Sequence, residues 1–185
     1  MTCSTRLPFS RFDFNGTKTR SVMSAANVAR PLPSDVVIRE ATSDDVASLR
    51  TFRCASPAEP WTVAPELTIQ IQVPGWVGSE RTLVLVAERR GEMVGVIALD
   101  LDPSDPRVMT SQVLAVAREH RREYIAYNLK LRALQHAVAK GAAGVASEVD
   151  EQNEPMLDCN QLFEATTAPE PGDPSLLLNV IRVSD

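Results

Sequence analysis

Val113-Leu114-Ala115-Val116-Ala117-Arg118-Glu119-His120-Arg121-Arg122-Glu123-Tyr124-Ile125-Ala126 changes character twice within a short span. It opens as an apolar, strand-like run, passes through a charged turn and ends on the first residues of a helical pattern. A strand that hands over to a helix in this way aims unpaired backbone N–H groups and the positive end of the helix dipole at one point. That arrangement suits a diphosphate. Arg121 and Arg122 add positive charge at the same place, by point attraction or a bidentate fork. On composition alone, a solvated basic loop accounts for the stretch at least as well.

The neighbouring segments extend the pattern on both sides. A third strand over about 108–116 leads into the turn. Upstream, Thr82-Leu83-Val84-Leu85-Val86-Ala87-Glu88 and Met93-Val94-Gly95-Val96-Ile97-Ala98-Leu99 flank Arg89-Arg90-Gly91-Glu92, the signature of an antiparallel hairpin. Earlier still, Val36-Val37-Ile38-Arg39 reads as a strand. Thr42-Ser43-Asp44-Asp45 then caps a helix whose Val46, Leu49 and Phe52 share one face. Pro57, Pro60, Pro65 and Pro74 break residues 55–80, leaving one short helix near 66–72. Trp61 and Trp76 lie there, as packing over the sheet or as an aromatic wall for a substrate.

Downstream, a helix over about 124–140 carries Ile125, Leu129, Ala133, Leu134, Ala137 and Val138 at helical spacing and ends at Gly141. A strand at 144–149 follows, then a helix from Pro155 through Phe163. Residues 168–174 contain Pro169, Pro171 and Pro174, and 175–183 reads as a last strand. The order β-α-(α)-β-β-β-α-β-α-β predicts an α/β (α+β) fold: a mixed sheet with helices on its faces.

The chain has 185 residues, one domain's worth, and a net charge of −5. An acidic surface excludes a general nucleic-acid binder, and no apolar run reaches the roughly 20 residues that span a bilayer. Cys3, Cys54 and Cys159 are too few and too scattered for a disulfide framework or a metal site, which points to the cytoplasm. Cys159 as a catalytic thiol is the minor reading; a small buried side chain is the usual role of such a residue. Arg6, Arg11, Lys18, Arg20 and Arg30 against Asp13 alone set the start of the chain apart. Residues 1–33 are expected to be a disordered or artefactual leader, with Met23 as an alternative start, and 34–185 a single domain.

Arg121-Arg122-Glu123-Tyr124-Ile125-Ala126 resembles the Gln/Arg-x-x-Gly-x-Gly/Ala motif of the GNAT acetyltransferase superfamily, and Ala117-Arg118-Glu119-His120 resembles the turn that precedes it. Asn153-Glu154-Pro155-Met156-Leu157-Asp158-Cys159-Asn160 is similar to the Asn-x-Pro-Met-Leu-x-x-Asn run of many bacterial members, and Leu129-Lys130-Leu131-Arg132-Ala133-Leu134 to their central helix. The resemblance covers about 36–163 and implies a GNAT-like, mostly antiparallel sheet flanked by helices. Three departures stand out. Tyr124 replaces the first Gly, which lets backbone approach phosphate without a Cβ between; a Tyr holding helical dihedrals would have to swing its ring aside. Asn160 occupies the place of a frequent Tyr and has no proton to give a thiolate. Phe163-Glu164-Ala165 stands where Leu-Gly-Phe is usual.

The resemblance implies acetyl-CoA as co-substrate and direct transfer to a primary amine, of a small molecule or a protein, within a ternary complex, with no metal. Leu114, Ala115 and Val116 would bind the pantetheine amides, and a strand N–H there would hold the developing oxyanion. Arg121, Arg122, Glu123, Tyr124, Ile125 and Ala126 would surround the diphosphate. Asn153 would bond the CoA arm, or else cap its helix. Candidate catalytic positions are Glu119, Glu148 and Asn160, with Asp150 beside Glu148 on the same strand face. His120 reads as a turn residue beside phosphate. Residues 175–183 would be the segment to pair across a homodimer. Two other readings stay open: a degenerate, non-catalytic CoA-binding or dimerisation module, and a phosphate-binding regulatory domain, which the absence of a Walker-type loop disfavours.

Overall fold

The structure, a computed structural model, describes residues 30–102, 105–170 and 173–183. Within them, seven strands form one sheet: β1 (Val36–Glu40), β2 (Thr82–Arg89), β3 (Glu92–Leu101), β4 (Val108–Val116), β5 (Gly144–Asp150), β6 (Thr166–Glu170) and β7 (Asp173–Arg182). Their spatial order is β1-β2-β3-β4-β5-β7-β6, antiparallel throughout except between β4 and β5. Among the described residues, four α-helices cover it: α1 (Val46–Thr51), α2 (Val63–Ile71), α3 (Ile125–Ala139) and α4 (Glu154–Gln161). The mixed, mostly antiparallel sheet flanked by helices is the predicted fold class, with one strand added.

Strand alternation divides the core between the two faces. Leu83, Leu85 and Ala87 of β2 and Ile97 and Leu99 of β3 pack with Ile125, Leu129, Ala133, Leu134 and Ala137 of α3. The intervening Val84, Val86, Val96 and Ala98 face Leu49, Phe52, Ile69 and Val73 on the α1–α2 side. The β2–β3 hairpin closes through Arg90 and Gly91 at φ 54° and 83°, both left-handed, which keeps the strands twisting together. A Cβ on Gly95 would lie 3.0 Å from Leu129 Cδ1 and 3.2 Å from Ile125 Cγ2, so this glycine lets α3 sit close on the sheet.

The differences from the sequence reading lie where prolines misled it. Pro65 falls in the first turn of α2, where a missing N–H costs nothing, so the helix starts earlier than 66. Pro169 sits in the edge strand β6, where an N–H need not join a ladder, so the proline-rich tail still pairs, Thr166 with Val180 through Pro169 with Leu177. That pairing overturns the expected dimer strand: β7 is bonded to β5 on one side and β6 on the other and has no edge for a second copy. Leu32 packs against the core and the Pro33 carbonyl accepts from Val36 N–H at 2.9 Å. The expected leader otherwise lies outside the described residues. No helix among the described residues is long and apolar enough to cross a membrane.

Candidate functional site

The one parallel step among the described residues of the sheet opens the site. β4 and β5 pair at Val108–Gly144, Met109–Val145 and Thr110–Ala146, and then part. Gln112 is an extra residue in β4, since Val113 faces Ala98 while Ser111 faces Leu99, and this bulge turns the strand end away from β5. Ala117 N–H donates to Val94 O on the β3 side. By alternation, the backbone groups of Leu114 and Val116 point to the open side. The gap widens into a cleft of about 860 Å³ bounded by Leu114, Ala115 and Val116, the entrance of α3, the start of α4, and the segment before α2.

After β4 a 3-10 turn, Arg118–His120, leads to α3. Arg122 (φ 65°) and Tyr124 (φ 59°, ψ 14°) both adopt the left-handed region, which a side chain makes costly. Tyr124 thus keeps the backbone that a glycine would take, not the right-handed helical dihedrals expected of it, and it is the N-cap rather than the first helical residue. Its side chain makes no cap, so the opening N–H groups of α3 remain available to a ligand. The residue is 44% exposed and lies in the cleft wall. The Arg30 guanidinium lies 5.2 Å from the ring centroid, and its Nη1 donates to Tyr124 Oη at 3.4 Å.

The residues expected around the diphosphate divide into three groups. Arg122, Tyr124 and Ala126 line the cleft, and Arg122 carries no ion pair among the described residues. Arg121 also lines it, but its guanidinium is engaged: it ion-pairs with Glu59, donates from Nη2 to Cys54 O at 2.6 Å, and from Nε to Val116 O at 3.3 Å. Glu123 faces elsewhere, bound by Arg89 Nη2 at 2.7 Å, while Arg89 Nη1 donates to His120 Nδ1 at 2.9 Å. Ile125 is 1% exposed and belongs to the core. Asn153 is a helix cap at the cleft wall. Its Oδ1 accepts from Met156 N–H at 3.3 Å as the cap of α4, and it lines the cleft.

None of the three candidate catalytic residues bounds the cleft. Glu119 is exposed on the 3-10 turn. Glu148 is on β5; partial desolvation, then the like charges of Glu170 and Asp173, raise its pKa above the usual carboxylate range. Asp150 accepts from Gln152 N–H at 2.8 Å. Asn160 is wholly buried, with its Oδ1 bonded by the equally buried Lys130 ammonium and its Nδ2 without a partner. Burial lowers the Lys130 pKa to about 8, against a smaller opposing effect of Cys159. Trp61 lines the cleft, while Trp76 packs against the α1–α2 core.

Sequence reading missed Glu59 and Asp158, the cleft's two carboxylates, and Tyr127, which stacks on Phe163 at 4.8 Å. Glu59 lies in the broken segment, where no periodicity marks it. Tyr127 directly follows the motif stretch that ends at Ala126, and Asp158 lies within the 153–160 stretch, where the pattern assigns it no role. Cys159 reaches the cleft, but burial raises its pKa, which favours the thiol. The described residues contain no group of His, Cys, Asp or Glu able to hold a metal ion.

The sequence matches the model of the acetyltransferase (GNAT) family over residues 46–161. No curated protein sequence matches it. Among solved structures, the fold is similar to the ribosomal-protein-S18-alanine N-acetyltransferase of Escherichia coli (TM-score 0.63, 16% identity, 81% of this chain and 95% of that one). It is also similar to the PaiA N-acetyltransferase of Thermoplasma acidophilum in complex with coenzyme A (0.61, 16%, 80% and 98%). A third similar structure is the GNAT domain of S. lividans PAT (0.64, 15%, 78% and 89%).

Proposed function

The chain belongs to the GNAT acetyltransferase family, and from that premise we propose that it transfers an acetyl group from acetyl-CoA to a primary amine within a ternary complex. The observation that carries this reading is the open edge of β4 running into an uncapped α3 entrance at the wall of one cleft. The open-side backbone groups of Leu114 and the Val116 N–H fit the pantetheine amides and the thioester carbonyl. The α3 N–H groups and Arg122 fit a diphosphate.

In the transfer, the amine nitrogen attacks the thioester carbonyl carbon, the C–S bond breaks and CoA leaves as a thiolate. A β4 N–H holds the oxygen that gains charge, an effect worth about 3 kcal/mol. Glu59 and Asp158 are the carboxylates placed to take the amine proton through water, in place of Glu119 and Glu148. Trp61 gives the acceptor side an apolar wall, which suits a small amine or a protein amine beside an apolar group. Free thiols at Cys54 and Cys159 agree with a cytoplasmic setting.

Calorimetric titration with acetyl-CoA, followed by thiol release across a panel of amines, tests the reading. Micromolar binding with amine-dependent release supports it, and absence of binding rejects it. One observation favours a second reading, a CoA-binding module without catalysis: Glu119, Glu148 and Asn160 all lie away from the cleft lining. Binding with no release for any amine would select that second reading.

A further inference from the structure

A tyrosine at φ 59° presents its Cβ and ring at the α3 entrance, the place where a ligand needs bare backbone. Two contacts hold the ring itself. Arg30 Cζ lies 5.2 Å from its centroid, and Arg30 Nη1 meets Tyr124 Oη at 3.4 Å. Asn128 Nδ2 joins the same two residues through their backbones, donating to Arg30 O at 3.1 Å and Tyr124 O at 2.9 Å. Arg30 makes no ion pair among the described residues, and its Nε is buried without a hydrogen-bond partner. A lone guanidinium beside the positive end of a helix is electrostatically disfavoured, so the ring face is what it is held against.

We propose that Arg30 is a positioning residue: it holds the Tyr124 ring aside and so keeps the α3 entrance open to the CoA diphosphate. The inference rests on the reading of the cleft as an acetyl-CoA site. It assigns a working role to the segment before β1, which the family match does not cover.

The test is calorimetry with acetyl-CoA on the full chain and its Arg30→Ala and Arg30→Lys variants, repeated on Tyr124→Gly and on Arg30→Ala with Tyr124→Gly, with a thermal melt of each. Arg30→Ala is expected to bind about five-fold more weakly, the size of one partly desolvated cation–π contact. Arg30→Lys should recover most of that loss. With Tyr124→Gly there is no ring to hold, and Arg30→Ala should then change nothing. Equal binding by the intact chain and Arg30→Ala overturns the inference. A loss that persists beside Tyr124→Gly also overturns it, because Arg30 would then serve the ligand directly. A loss matched by a lower Tm reduces Arg30 to a fold contact and overturns it too. No binding by the intact chain rejects the acetyl-CoA reading itself, and this inference with it.

Discussion

Arg121 and Glu59, far apart in the chain, form an ion pair at the rim of the cleft. With its bonds to the Cys54 and Val116 carbonyls, Arg121 ties the segment before α2 to the end of β4. The two adjacent arginines therefore differ in task. Arg121→Ala should lower stability by about 2 kcal/mol, since it strips a charged donor from three acceptors. Arg122→Ala should leave the Tm in place and weaken acetyl-CoA binding by about 1 kcal/mol, more at low salt than at high. Thermal melts and titrations of the two single variants check this.

Gly95 sits directly beneath Ile125 and Leu129 of α3. Gly95→Ala places a methyl group against Leu129, Ile125 and the Ala115 carbonyl, and Ala115 itself lines the cleft. The expected outcome is a loss of about 1–3 kcal/mol in unfolding free energy, together with weaker acetyl-CoA binding as the α3 entrance shifts. Urea unfolding and titration read the two effects separately.

Asp45 takes both terminal nitrogens of Arg39, at 2.7 and 2.8 Å, and the Thr42 N–H at 2.8 Å. The Arg39 hydrogen bonds, opposed in part by burial, bring its pKa down from 3.8 to about 2. A carboxylate lowered on folding stabilises the fold above its unfolded pKa and loses that contribution as pH falls through the folded value. Asp45→Asn should therefore cost about 2 kcal/mol at pH 7, and the gap from the native chain should shrink between about pH 4 and pH 2. Denaturant unfolding across that window checks it.

At the Lys130–Asn160 pair stability again rises with pH, but here the lowered pKa marks a cost of burying a charge and not a stabilising contact. Burial lowers the ammonium from 10.5 to about 8, so between those values the unfolded chain holds a proton that the folded chain has lost. The buried charge costs most below pH 8, and the cost fades as pH rises toward 10.5. Replacing the pair together, Lys130→Met with Asn160→Leu, should stabilise the chain by about 2 kcal/mol at pH 7, with the gain disappearing in alkaline solution. Lys130→Met alone should do worse, because it strands the Asn160 amide in the core.

Most of the fold was legible because periodicity and turn chemistry agreed. The β2–β3 hairpin, β4 and α3 each carried an apolar pattern bounded by a turn residue, and Val108–Val116 fell where the pattern put it. The tail was harder, since Pro169 argues against a strand unless the strand is known to lie at an edge, and that is a property of the finished sheet. The cleft itself was only partly legible. Leu114 to Val116, Arg122, Ala126 and Asn153 sit on elements whose geometry follows from local sequence. Glu59, Asp158 and the diversion of Arg121 and Glu123 depend on which distant charges meet, and no local pattern encodes that. Nothing in residues 121–126 tells that Tyr124 would accept a left-handed backbone instead of a helical one.

The parting of β4 from β5 makes the sheet two leaves stitched by three residue pairs, with side chains of a shared core as the remaining seam. A molecule lying in the gap would supply the rungs that the strands themselves leave out. Occupancy would then stiffen the whole chain along its weakest line, and the backbone amides of Leu114 and Val116 would be where that stiffening first registers, as slowed exchange with solvent.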